Sequence, residues 1–125
     1  MKRDWKIIRA ILEHIEAEDL REYAEKYSYV KDLNINEDDF LGHIEILADA
    51  GIIRNAEVVR TVNGTVSFCN LNGVFITMQG HDLLDALRDS TVWSRIKEKA
   101  VRAGVSISWE FIKAAIPAVM KELCR

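Results

Sequence analysis

Proline and cysteine are nearly missing from this chain of 125 residues, which has Pro117 alone and only Cys69 and Cys124. With no proline before residue 117, nothing in the first nine-tenths of the chain removes a backbone N–H, so helices and strands are limited only by glycine and turn residues. The two cysteines lie far apart and neither belongs to a C-x-x-C pair, so idle thiols are expected and a disulfide or metal framework is not. No apolar run approaches the roughly 20 residues of a membrane span, and the opening M-K-R-D-W-K lacks the apolar core of a signal peptide. A cytoplasmic protein without a membrane partner is the expectation. No G-x-x-x-x-G-K-S loop, nucleophile elbow or paired glycosidase-like carboxylates occur, nor any repeat or low-complexity tract. Neither a cofactor nor enzymatic activity is expected.

What is present is charge, and it is segregated. The net charge of −3 divides into +3 over 1–9, −9 over 10–57, −1 over 58–87 and +4 over 88–125. A duplex-binding surface needs clustered Lys and Arg to displace counterions from phosphates. Here the bases sit at the two ends of the chain and the middle repels phosphate.

Along the chain, Trp5, Ile8, Ile11, Leu12 and Ile15 share one face of a helix over 4–16. Leu20, Tyr23, Ala24 and Tyr27 mark a short second helix, and the alternation over 29–35 reads as a short strand. The segment from Asn36 to Gly51 is the centre of the reading. Asn36 can accept from the free N–H groups of a first turn, Phe40, Ile44, Leu47 and Ala48 recur at helical spacing, and Gly51 supplies a left-handed stop. A strand from Ile52 and Ile53 follows, and then Asn63-Gly64 between β-branched runs, a strong hairpin signal. With a two-residue loop, Val59, Thr61, Val66 and Phe68 would face the core and Arg60, Ser67 and Cys69 would face away. Asn72-Gly73 turns the chain again before 74–76. Thr77 caps a helix to Arg88, a further helix closes at Gly104, and a last one starts near Ser106 or Ser108, with a kink expected at 113–116 from Pro117. A helix running into a hairpin occupies the recognition position of a winged helix-turn-helix. The fold class expected is therefore α+β, mainly α: a winged-helix core with a small antiparallel hairpin wing and additional C-terminal helices. One domain spans 1–125, with its core over 1–89 and a helical extension over 90–125.

The pattern I-x-x-L-x-x-A-G-I-I from Ile44 to Ile53, a hairpin, and I-T-x-x-G-H-D-x-L from Ile76 to Leu84 resemble the shared core of winged-helix proteins. More specifically, the opening M-K-R-D, the I-I-R-x-I-L from Ile7 to Leu12, and G-H-D-L-L-D-A-L-R-D-S-T-V-W from Gly80 to Trp93 resemble a family of short, uncharacterised bacterial proteins associated with phages and prophages. That resemblance implies a winged-helix fold and a phage link. It implies no activity, since the family has no catalytic residues to carry over.

Each chemical group has a plainer reading beside it. His14, His43 and His81 fall on three different helices with no H-E-x-x-H pair, so structural or solvent-facing roles are expected and no metal site. Gly80-His81 is read as packing against the wing, and a catalytic His81 with Asp82 or Asp85 would need a water-shielded pocket. Glu37, Asp38 and Asp39 suit a helix start, where the dipole favours acids by roughly 0.3–1 kcal/mol each.

Burial of Phe40, Ile44 and Leu47 would turn Asp38, Asp39, Gly42, Glu45, Ile46 and Asp49 outward. A major-groove reader would carry Arg, Lys, Asn or Gln there. This face is therefore expected to meet a protein, a host or phage factor. Trp109, Ile112, Ile116, Val119 and Leu123 form a C-terminal stripe that serves either as intramolecular core or as the surface of a homodimer. The alternative is a DNA-binding transcriptional regulator using Lys2, Arg3, Lys6, Arg9, the wing residue Arg60, and Arg95, Lys97, Lys99 and Arg102; base rates for winged helices favour it and the charge placement opposes it.

Overall fold

The computed structural model describes residues 2–124, with the backbone alone at 66–68. The architecture is α+β and mainly helical, in two compact units, Met1–His81 and Asp82–Arg125. In chain order the elements are α1 (Trp5–Glu16), α2 (Leu20–Glu25), α3 (Ser28–Leu33), α4 (Glu37–Asp49), β1 (Ile53–Arg54), β2 (Glu57–Arg60), β3 (Val66–Asn70), β4 (Phe75–Ile76), α5 (Met78–Arg88), α6 (Ser90–Ala103) and α7 (Trp109–Leu123). Among the described residues no helix is long and apolar enough to cross a membrane.

In the first unit α1 begins where the Asp4 side chain accepts from the Lys6 N–H at 2.9 Å, and it buries Ile7, Ile8, Ile11, Leu12 and Ile15 against α4 and β4. The α4 helix begins as its sequence requires: Asn36 Oδ1 accepts from the Asp39 N–H at 2.8 Å, and Gly51 beyond its end has φ +73°. Phe40, Ile44 and Leu47 are wholly buried and Ala48 is half-buried.

Where a strand is expected over 29–35, the chain is helical through Leu33 instead. A strand needs a ladder partner, and among the described residues β1 pairs with β4 and β2 with β3. As a helix, α3 turns Tyr29 inward, where its ring stacks on Phe40 with centroids 4.1 Å apart and planes 8° apart. Left-handed Tyr27 (φ +53°) and Asn34 (φ +54°) bound the six-residue helix.

Strands β2 and β3 form the expected hairpin with a different turn. Asn63 keeps a negative φ and only Gly64 is left-handed, at +84°. Thr61 N–H donates to the Thr65 carbonyl at 2.8 Å and Gly64 N–H to the Thr61 carbonyl at 3.0 Å. This is a three-residue loop ending in a left-handed glycine, not a two-residue type I′ turn. The extra loop residue would slip the register by one. A bulge between Arg60↔Val66 and Val59↔Phe68 restores it, so Val59 still pairs with Phe68.

The hairpin's faces are reversed from the expectation. Val59 and Thr61 are exposed, whereas Val58 and Cys69 are half-buried. The physical reason is the neighbour: α4 offers the Glu45 carboxylate, so the side carrying Arg60 turns inward, and the period of two sends Val59 and Thr61 out. The inward placement expected for the Val66 and Phe68 side chains lies outside the described residues.

After the second turn the chain returns to β1, pairing Ile53↔Ile76 and Arg54↔Phe75. The second Asn-Gly thus closes a ribbon and adds no third strand. Thr77 locks the junction: its N–H donates to the Ile52 carbonyl at 3.0 Å, and its Oγ1 accepts from the Gly80 N–H at 3.1 Å, capping α5. A Cβ at Gly80 would collide with the Ile52 carbonyl oxygen and lie 2.6 Å from Ile76 Cγ2, so this approach requires glycine.

In the second unit Asp89 Oδ1 caps α6, accepting from Thr91 and Val92, and Gly104 (φ +68°) ends it. Ser108 Oγ caps α7 at 3.1 Å from the Phe111 N–H. The α7 helix runs on through Pro117 and packs along α6, burying Ile112, Ala115 and Val119.

Candidate functional site

Two features of the first unit make an acidic concavity. The outward face of α4 carries Asp38, Asp39, Glu45 and Asp49, and the β2–β3 hairpin leans across that face. Between them is a cleft of about 460 Å³ lined by Asn36, Asp38, Asp39, Gly42, Glu45, Ile46, Arg60, Gly64 and Thr65. Five of the six residues expected on a partner surface therefore come together, and Asp49, which is exposed, lies outside the lining. Two details are corrected. Gly42 is buried and Ile46 half-buried, because the hairpin covers the part of α4 that a bare helix would show.

Arg60 closes one end of the cleft. Its Nε donates to both Glu45 carboxylate oxygens, at 2.8 and 3.1 Å, Nη2 also reaches Glu45, and Nη1 donates to the Gly64 carbonyl. The hydrogen bond from Arg60 holds the Glu45 carboxyl below the usual carboxylate range. Glu45 in turn raises Arg60, with smaller contributions from the charges of Asp38 and Asp49. One guanidinium thus sits in the field of three carboxylates, and the surface stays negative. Spacing alone could not show this contact, because Glu45 and Arg60 lie on elements whose relative placement depends on the turn, the bulge and the β1–β4 pairing.

Residues 2–106 match the family described as hypothetical protein (DUF2513). The chain belongs to this family. An uncharacterised protein of Haemophilus influenzae is similar to it, 26% identical over 125 residues, with 98% of each chain covered. No solved structure matches.

In this DUF2513 chain the histidines occupy three unrelated environments. His43 is buried, with Nε2 accepting from the Asp4 N–H at 2.9 Å and Nδ1 2.6 Å from the Asp39 carbonyl, so the ring joins the start of α1 to α4. Donation to the carbonyl fixes the proton on Nδ1. His14 Nδ1 lies 2.7 Å from Asp19 Oδ1, and its ring stacks on Tyr23 at 3.8 Å. His81 is exposed, and its neighbour Gly80 packs on Ile52 and Ile76, not on the β2–β3 hairpin as expected. The ribbon that meets the start of α5 at Gly80 is β1–β4, which the spacing did not reveal.

The bases expected to contact DNA are mostly engaged elsewhere. Arg9 pairs with Glu13 at 2.9 Å, Arg60 with Glu45, Lys99 and Arg95 with Glu122 at 2.7 and 3.7 Å, and Arg102 with Glu98 at 3.1 Å. The Arg3 guanidinium lies over the Trp5 ring at 4.9 Å, and Lys2, Lys6 and Lys97 are exposed. Within the first unit Arg60 is drawn to α4, while the other bases stay at the start of α1. Of the C-terminal stripe, Ile112 and Val119 are wholly buried, Trp109 and Ile116 half-buried and Leu123 exposed.

Proposed function

We propose that this DUF2513 protein is a non-enzymatic winged-helix module that acts in the cytoplasm, in a phage or prophage setting, by binding a protein partner through the α4–hairpin cleft. The observation that carries the reading is the pairing of Arg60 with Glu45. In a winged helix that reads duplex, the base of the wing and the outward residues of the preceding helix face phosphate and base edges. Here the hairpin's arginine is spent on the helix, and Asp38, Asp39 and Asp49 face outward without an equal number of cations. Charge complementarity then selects a partner segment bearing Lys or Arg. Ile46 and Gly42 add a small apolar notch within the acidic rim.

Self-association is the second part of the proposal. It is supported by the portion of α7 that its own unit leaves open, Ile116 and Leu123, together with Met120, which is 45% exposed.

Fluorescence anisotropy tests the reading by comparing a labelled Lys/Arg-rich peptide with a labelled duplex on the full chain. Peptide binding that falls with salt and weakens on combining Asp38→Asn with Asp39→Asn is expected, with no duplex binding near physiological ionic strength. Duplex binding at that salt, weakened by Arg60→Ala, would overturn it in favour of a DNA-binding regulator. Sedimentation that stays monomeric into the high micromolar range would remove the self-association.

A further inference from the structure

The first unit holds another cavity, of about 440 Å³, which shares no lining residue with the acidic cleft and on which the proposed partner binding does not depend. Its volume falls within the ~300–1,000 Å³ of small-molecule sites. The inner wall is aromatic: Tyr29 and Phe40, both buried and stacked face to face. Tyr27 stands edge-on to Tyr29, with centroids 6.0 Å apart and planes at 62°, and is 56% exposed, so its ring lies at the mouth. The chain holds Tyr27 there in a left-handed conformation, φ +53°, that costs a residue other than glycine roughly 1–2 kcal/mol.

The polar groups of the cavity divide into two sides. On the strand side, Asn72 Oδ1 accepts from Arg21 Nη1 at 3.0 Å, and Asn70 Oδ1 accepts from the Asn72 N–H at 2.9 Å. Each amide oxygen is thus turned toward a partner within the protein, which leaves the Nδ2 groups as the donors that each side chain can offer a ligand. Arg21 is also held by Glu25, at 3.0 Å, so its charge is already answered. On the helix side stands the Glu37 carboxylate, an acceptor; burial, with a smaller contribution from the Glu37 charge, keeps the Tyr29 phenol protonated, pushed up to about 12. The Cys69 thiol is kept neutral as well, pushed up to about 11 by burial. Donors on one side, a carboxylate on the other and a ring at the mouth exclude an anion and fit a flat, uncharged ring.

We infer that this cavity binds a heteroaromatic lactam, stacked on Tyr27, with its carbonyl and ring-nitrogen acceptors toward Asn70 and Asn72 and its N–H donors toward Glu37. A guanine edge carries this pattern, with O6 and N7 as acceptors and the ring and exocyclic N–H groups as donors. Adenine reverses it at the exocyclic position, and a phosphate would add charge beside Glu25 and Glu37.

The test uses the full chain, labelled with nitrogen-15, and guanosine as the probe, with adenosine and guanosine monophosphate beside it. Guanosine shifts the side-chain NH₂ resonances of Asn70 and Asn72 and binds with a Kd of about 10–100 µM. Adenosine and the monophosphate each bind about tenfold more weakly. Glu37→Ala, at an exposed position, weakens guanosine by about tenfold and narrows its margin over adenosine. Tyr27→Gly removes the ring while relieving the left-handed backbone, so guanosine weakens about tenfold although the melting temperature holds or rises. The inference is overturned if guanosine leaves both asparagine NH₂ signals unmoved at millimolar concentration. It is equally overturned if adenosine binds as well as guanosine, or if Tyr27→Gly binds guanosine as the parent does.

Discussion

The α4 and α7 helices are alike in length, 13 and 15 residues, and each carries an apolar stripe, yet the structure uses them differently. The stripe of α4 is enclosed completely: Phe40, Ile44 and Leu47 have no exposed surface, because α1 and the Tyr23, Tyr29 and Phe40 rings surround it. What α4 leaves outside is carboxylate. In its own unit α7 packs along α6, which buries Ile112, Ala115 and Val119 and leaves Met120 and Leu123 in the open. What α7 leaves outside includes apolar side chains among charged ones. The difference teaches that periodicity identifies the apolar side of a helix, whereas the number and arrangement of its neighbours decide how much of that side is used up.

The comparison breaks first at Phe40. Phe40→Ala removes a ring stacked on Tyr29 and tilted against Tyr23, and is expected to cost about 3–5 kcal/mol in chemical denaturation. A loss near 1 kcal/mol would mean that the α4 stripe is enclosed less tightly than its zero exposure states.

A smaller contrast lies within α7. Ile112→Ala should cost about 2–4 kcal/mol, whereas Leu123→Ser, at a side chain 38% exposed, should stay within about 0.5 kcal/mol. Equal losses at the two positions, growing with protein concentration, would show Leu123 covered by a second copy.

The smallest effect concerns pH. Because Arg60 depresses the Glu45 pKa in the folded protein, the pair stabilises hairpin docking at pH values above the unfolded carboxyl value of about 4.3. That contribution fades as pH falls through the depressed folded value. Amide exchange in β2 and β3 should accelerate relative to α4 over that acidic window, and Glu45→Gln should abolish the pH dependence. Exchange that keeps the same ratio in both proteins would separate the cleft from this ion pair.

Much of the helical framework was legible because it is written in local chemistry. The Asn36 and Thr77 caps, the glycine stops at Gly51 and Gly104, and the stripes of α1 and α4 depend on residues within a few positions of one another. The errors fall where a distant neighbour decided. Tyr29 and Leu33 fit a helical face as well as a strand, and the nearby Phe40 ring resolved the choice for the helix. An Asn-Gly pair allows either hairpin turn, and the bulge between Val59 and Arg60 hid the change in register from any count of residues. Of the candidate cleft, the acidic side was visible in the spacing of Asp38, Asp39, Glu45 and Asp49; the covering hairpin and the engagement of Arg60 were not.

By itself, then, the sequence determined where α1 and α4 begin and end, which face of α4 is apolar, and that its opposite face is acidic, since capping and hydrophobic periodicity act over one or two turns. Only the tertiary structure decided that 28–33 is helical, that β4 returns to β1, that the hairpin turns its Arg60 side inward, and that Ile112 and Val119 of the α7 stripe are already buried. Each of those outcomes depends on which surfaces meet across long stretches of chain, and the free energy of such a meeting is set by the partner surface, which no local pattern contains.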